Sequence, residues 1–110
     1  MTPEGRVKAQ AKFLLDRYVE HGLWYYMPVS GGYGQHGIPD IIACFAGQFI
    51  AIECKSPKGK LTPLQQMQCG RLLTAGALVC IVNGEGDLYS LEAQLNLLLT
   101  KLAHETATVK

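Results

Sequence analysis

From Asp40 to Lys55 the chain reads DIIACFAGQFIAIECK, two almost unbroken apolar runs meeting at Gly47 and Gln48, with ionisable residues only at the outer ends. Runs this short and rich in isoleucine and phenylalanine read as strands, and their lack of polar alternation requires cover on both faces. A hairpin of that kind cannot stand alone. It forms the centre of a sheet with helices above and below, which makes the fold α/β before any other residue is considered.

The flanking sequence supplies the helices. Thr2-Pro3-Glu4 combines an N-cap, a proline at the first helical position and an acid at the positive helix end, and Val7, Ala11, Leu14, Leu15 and Tyr18 then recur at helical spacing until Gly22. The spacing predicts a first helix over about residues 3–21. LWYYMPV reads as a strand closed by the loop SGGYGQHG, and Thr62-Pro63-Leu64-Gln65 opens a second helix to about Ala75. ALVCIV is a further strand, NGEGD a turn, and a leucine-rich helix follows from Ser90 to about residue 104. The order is α-β-β-β-α-β-α, with a mixed central sheet flanked by helices. With 110 residues and 48% hydrophobic content there is material for one modest core, so residues 1–110 are expected to form one domain, its core at about 3–90.

Ten lysines and arginines against nine acids exclude the strong basic excess that marks many nucleic-acid binders, but not a local basic patch. Cysteines 44, 54, 69 and 80 have no C-x-x-C spacing and lie in or beside apolar runs, which speaks for reduced thiols rather than a zinc site or disulfide framework. The start, MTPEGRVKAQAKF, lacks the apolar stretch of a signal peptide, and no apolar run approaches the ~20 residues that span a bilayer. A cytoplasmic protein without a membrane partner is expected.

If Gly47 and Gln48 form a two-residue turn, Ala46 faces Phe49, Asp40 stands opposite Lys55 and Ile42 opposite Glu53. Alternation then brings Asp40, Glu53 and Lys55 to one face at one end of the sheet. Two carboxylates so placed repel each other and lose hydration unless positive charge lies between them. A divalent cation meets that need, and Asp40, Glu53 and a main-chain carbonyl such as that of Cys54 form an oxygen set suited to Mg²⁺ or Mn²⁺.

Pro39-Asp40 followed by Glu53-Cys54-Lys55 resembles the P-D…(D/E)-x-K signature of the restriction-endonuclease-like nucleases. The longer stretch from Gly37 to Gln65, together with the opening TPEGRV, resembles the VRR-NUC (virus-type replication-repair nuclease) domain in its small stand-alone, often phage-encoded form, over about residues 3–90. The resemblance implies a restriction-endonuclease-like α-β-β-β-α-β core followed by a C-terminal helix. It also implies metal ligation by Asp40 and Glu53 with the Cys54 carbonyl, a catalytic role for Lys55, a supporting polar role for Gln65 and an acidic contribution from Glu4. The activity implied is metal-dependent hydrolysis of DNA phosphodiesters, leaving a 5′-phosphate and a 3′-hydroxyl, with branched DNA such as a Holliday junction as the suggested substrate in replication, recombination or repair.

Each residue also has a structural reading. Asp40, Glu53 and Lys55 could form a salt bridge, though a buried ion pair is a poor source of stability. Glu4 suits the helix dipole but shares a helix face with Val7, Ala11 and Leu14. Gln65 completes a T-x-x-Q capping box with Thr62, yet it falls within the apolar stripe Leu61, Cys69, Leu72, where an amide needs a buried partner. Lys58, Lys60, Arg6, Lys8 and Lys12 are candidates for phosphate contacts, Tyr33 for stacking on a base and His36 for the nucleic-acid backbone. A non-cleaving nucleic-acid-binding module, or a structural oligomer, is the rival reading. Leu88, Leu91, Leu95, Leu98 and Leu102 recur at spacings of three and four with Leu97 and Leu99 beside them, a stripe wider than a small core covers, which predicts a homodimer.

Overall fold

The computed structural model describes residues 1–29 and 37–109. Helix α1 (Pro3–Asp16) starts as its sequence requires, with the Thr2 hydroxyl accepting from the Gly5 N–H at 2.9 Å, and buries Val7, Ala11, Leu14 and Leu15. It stops short of the expected residue 21. The chain tightens into a 3₁₀ turn at Val19–His21, and Gly22, at φ 100°, carries it into the first strand. The N–H groups of Gly22 and Leu23 close back on the carbonyls of Val19 and Tyr18, so a left-handed glycine ends the helical segment by satisfying its last acceptors.

Four strands follow, β1 (Trp24–Tyr26), β2 (Ile41–Phe45), β3 (Gln48–Cys54) and β4 (Leu78–Val82), in the spatial order β1-β2-β3-β4. The first three are antiparallel neighbours and β3 pairs with β4 in parallel. Helix α2 (Pro63–Thr74) makes the crossover that a parallel pair needs, and helix α3 (Glu85–Val109) completes the chain. The sheet is therefore mixed and flanked by helices, in the expected element order.

Ile50, Ile52 and Cys54 of β3 are fully buried in one core with Ile41, Ala43, Phe45 and Val82, covered by α1 and α3. Ala51 and Glu53 point to the opposite face and are also buried, under the side of α2 that carries Cys69. Leu91 and Leu95 are fully buried in the first core, while Leu88, Leu98, Leu99 and Leu102 pack against it half-buried. Only Leu97, 65% exposed, faces away, so the leucine stripe that suggested a dimer is largely used within the chain's own core. Helix α3 also begins earlier than Ser90. The Asp87 carboxylate accepts from the Asn83 N–H at 2.8 Å and the Leu88 N–H reaches the Gly84 carbonyl, which draws the expected NGEGD turn into the helix. All four cysteines are free, with Cys54 and Cys69 buried. Among the described residues no helix is long and apolar enough to cross a membrane.

The hairpin turn differs from the expected one. Phe45 pairs with Gln48, so the turn residues are Ala46 and Gly47, at φ 52° and 78°. Two consecutive positive φ values match the right-handed twist of the flanking strands, but sequence reading gives that conformation to Gly or Asn rather than Ala. The register accordingly moves by two residues, and one step beyond the Ile41–Ile52 pair Asp40 stands across from Glu53 rather than Lys55. An even shift preserves the faces. Because a left-handed alanine is strained and asparagine tolerates that region, Ala46→Asn should raise stability by about 0.5–1 kcal/mol, read as a higher urea midpoint at constant m-value.

Candidate active site

Asp40 and Glu53 meet at the end of the β2–β3 ladder, held by three local devices. The Cys54 N–H donates to Asp40 Oδ2 at 2.8 Å, so the aspartate side chain takes the place of a strand carbonyl where the ladder runs out. Gly37, at φ 80°, brings the segment before Pro39 and Asp40 against the first turn of α2, where a Cβ would lie 2.6 Å from the Leu64 carbonyl oxygen. Thr62 and Gln65 form the expected reciprocal capping box. Thr62 Oγ1 accepts from the Gln65 N–H at 3.2 Å, and Gln65 Oε1 accepts from the Thr62 N–H at 2.9 Å.

The box leaves the Gln65 amide nitrogen free to donate to Glu53 Oε1 at 3.4 Å. Gln65 thus caps α2 and also meets the buried partner that its place in the apolar stripe requires, which is Glu53. Glu53 itself is 2% exposed, and among the described residues its Oε2 is the one buried side-chain nitrogen or oxygen without a hydrogen-bond partner. Burial, then the neighbouring Asp40 carboxylate, pushes its pKa up to about 8, with Lys55 opposing and Glu4 adding to the rise. Two ionised carboxylates have no proton to share, which leaves Oε2 orphaned. A protonated Glu53 can donate to Asp40.

The remaining expected residues divide. Lys8 Nζ stands 4.0 Å from Asp40 Oδ1, both partly exposed, at the outer margin of ion pairing. Lys55 is half-buried and acts on Glu53 through its field. Glu4 is exposed, yet near enough to raise the pKa of both Glu53 and Cys54. Burial, reinforced by Asp40 and Glu53, pushes the Cys54 thiol up to about 12, so its main-chain carbonyl is the group it can offer an ion at neutral pH. Lys58 and Lys60 are exposed on the loop after β3. Arg6 is not brought to the carboxylates. It lines a groove between α1 and α3 with Phe13 and Tyr89, about 160° round the helix from Glu4. Tyr33 and His36 lie outside the described residues.

Sequence reasoning missed Asn83. Its amide donates to the carbonyls of Ser56 and Gly59 at 2.9 and 3.0 Å, clamping the loop that carries Lys55 and Lys58. The only sequence signal was an asparagine before a glycine, read as a turn residue. Among the described residues no three His, Cys, Asp or Glu side chains converge on one point. A cation here would rest on two carboxylates, a main-chain carbonyl and water, which is how Mg²⁺ is commonly held.

The archaeal Holliday junction resolvase (Hjc) family model matches residues 14–76, a span containing Asp40, Glu53, Lys55 and Gln65. The chain belongs to this resolvase family. It is 36% identical over 64 residues to p44, a candidate nuclease of Acyrthosiphon pisum secondary endosymbiont phage 1, an alignment covering 57% of this chain and 68% of p44. A solved VRR-NUC domain superposes with a TM-score of 0.65 at 27% identity, covering 83% of this chain and 95% of that one. The resolvase-family match and the VRR-NUC fold make the chain a DNA nuclease with the restriction-endonuclease-like architecture. The family-model match ends at residue 76, before β4 and α3.

The raised Glu53 pKa has a definite consequence for metal-free protein. Between the ordinary carboxyl value of 4.5 and about 8 the folded state holds a proton that the unfolded chain has released. Stability therefore falls as pH rises through that window. Melting in EDTA should give a lower midpoint at pH about 8.5 than at about 5.5, and Glu53→Gln, which cannot ionise, should flatten the difference.

Proposed function

We propose that this nuclease is a metal-dependent endonuclease that hydrolyses phosphodiesters in branched DNA such as four-way junctions, working as a homodimer in the cytoplasm, that of the host cell if it is phage-encoded. The observation that carries the reading is the orphaned Glu53 Oε2 beside Asp40 in an otherwise apolar sheet. A structural salt bridge would have paired that oxygen. An Mg²⁺ or Mn²⁺ ion bound by Asp40, Glu53 and the Cys54 carbonyl would satisfy it and relieve the repulsion that raises the Glu53 pKa, with Glu4 close enough to assist through water.

When bound, such a cation supplies an acidified water and draws charge from the phosphate. The protein's own groups do the rest. The Lys55 ammonium orients the attacking water or steadies negative charge developing on the phosphate. Gln65 holds Glu53 through Oε1, so that Oε2 would be the oxygen available to hold a cation. Lys8, Lys58 and Lys60 hold neighbouring phosphates without reading sequence. Tyr33 and His36 keep the expected roles of base stacking and backbone contact. The products are a 5′-phosphate and a 3′-hydroxyl. Paired incisions across a junction require two such centres, which is the functional case for a dimer.

Asp40→Asn should lower cleavage of a four-way junction by at least about 100-fold, the scale on which loss of one stabilising group acts in a site of this kind. Above pH about 8, where Glu53 is ionised, its metal-free melting temperature should equal or exceed the parent's, since the amide oxygen can still accept from the Cys54 N–H while the repulsion is gone. Excess Mn²⁺ should raise the melting temperature of the parent but hardly that of the mutant. A mutant destabilised in EDTA, with a parent indifferent to metal, would make the pair structural. Gln65→Ala should reduce cleavage severely for a stability loss of only ~1 kcal/mol, because Thr62 still caps α2. Light scattering at tens of micromolar should report a dimer, and cleavage of linear duplex as fast as flap, fork and junction DNA would remove the branched preference.

A further inference from the structure

The sheet face that carries Asp40 and Glu53 is only half covered by α2. Alternation along the paired strands arranges the side chains of this face in rows. One row contains Asp40 and Glu53, the next Tyr26, Ile42 and Ala51, and the one beyond Trp24, Cys44 and Phe49. The row beside the carboxylates therefore begins with Tyr26, whose backbone stands diagonally from that of Asp40 at about 7–8 Å. Trp24 and Tyr26 are 60% and 51% exposed, with ring centroids 6.4 Å apart and planes within 21° of parallel. Phe49 is 40% exposed on the same face. Tyr25 between them is turned the other way, packed on the core with its hydroxyl donating to Asp16, which fixes the pleat and with it the direction of its two neighbours.

An edge strand bearing a stacked Trp–Tyr pair in solvent is a liability unless something binds it. We propose that Trp24 and Tyr26 form a stacking platform for unpaired or unstacked DNA bases, seating a nucleotide next to the scissile phosphate at Asp40 and Glu53. The assignment rests on the proposed nuclease site and gives it a substrate class, DNA with base faces exposed at a branch point. Paired duplex hides its base faces, whereas a splayed strand offers them to near-parallel aromatic rings whatever the sequence. The position decides for nucleic acid over a second copy of the chain. The platform adjoins the carboxylates on one continuous face, and a three-residue strand offers little area for a protein interface, which takes about 800 Å² per partner.

Trp24 is the sole tryptophan, so its emission reports on the platform directly. In EDTA, where cleavage is suppressed, single-stranded, forked and junction oligonucleotides should quench it, and a blunt duplex of equal length should do so far less. Trp24→Ala and Tyr26→Ala should each weaken binding of forked DNA about tenfold while changing duplex binding little, and Trp24→Phe should restore most of the loss. Unchanged melting temperatures would show that these exposed-site variants fold. Equal response to all DNAs, or none while the protein still cleaves junctions in Mn²⁺, would overturn the platform and leave the nuclease reading standing. Quenching by forked DNA in a protein that cleaves nothing would do the opposite. A shift of Trp24 emission with protein concentration alone, with Trp24→Ala turning a dimer into a monomer, would assign the face to contact between copies.

Discussion

A carboxylate sealed in an apolar sheet opposite a second carboxylate is unfavourable by both desolvation and repulsion, and the arrangement around Glu53 is organised to hold it there. The hairpin delivers Asp40 and Glu53 to facing positions, Gly37 lets the entering segment press against α2, and the capping box orients Gln65 so that its amide meets one oxygen of Glu53. None of these relieves the other oxygen. A chain selected for stability alone would place an apolar residue there, as buried ionic groups are often replaced without loss. Keeping the acid trades stability for a site, in the way expected where folding rules and chemistry conflict.

How far this was legible in the sequence depended on which physical rule decided each feature. The convergence of Asp40 and Glu53 came from the period of two in strands. It survived a wrong turn assignment because the true register differs by two residues, not one. The turn itself was not legible, since Ala46 adopts a conformation that local preference assigns to glycine or asparagine, and the twist of the strands overrides that preference. The capping box was written in Thr62 and Gln65, yet the partner of the Gln65 amide could be named only once α2 and β3 were placed together. Asn83 clamps a loop more than twenty residues away, and a contact of that kind has no local signature.

The helices show the same division. Periodicity along α1 correctly selected Val7, Ala11, Leu14 and Leu15 for the core, and the same wheel puts Arg6 on the far side, away from the carboxylates it had been grouped with. The leucines of α3 were visible as a stripe, but whether a stripe faces a partner or the chain's own sheet depends on the area offered by β2, β3 and β4. That area takes up all but Leu97. Apolar surface left on the last helix is confined to Tyr89 and Leu97, whereas the sheet exposes Trp24, Tyr26 and Phe49 together on one face.

The topology accounts for that exposure. A crossover between adjacent parallel strands lays its helix over those two strands, so α2 covers the β3–β4 half of its face. Both other helices pack on the opposite face, where α1 meets α3. The β1–β2 half therefore has no helix over it among the described residues. Glu53 lies under α2 and Asp40 just before β2, outside it, so the carboxylate pair straddles the boundary between covered and open sheet. The covered side supplies the low dielectric that raises the Glu53 pKa, while the open side, paved by Tyr26 and Trp24, gives an extended substrate room to reach the pair. A second helix over this face would bury both carboxylates and close the route to them, and no helix at all would leave Glu53 hydrated. The half-covered sheet is the arrangement in which one acid is desolvated while its neighbour stays within reach of DNA.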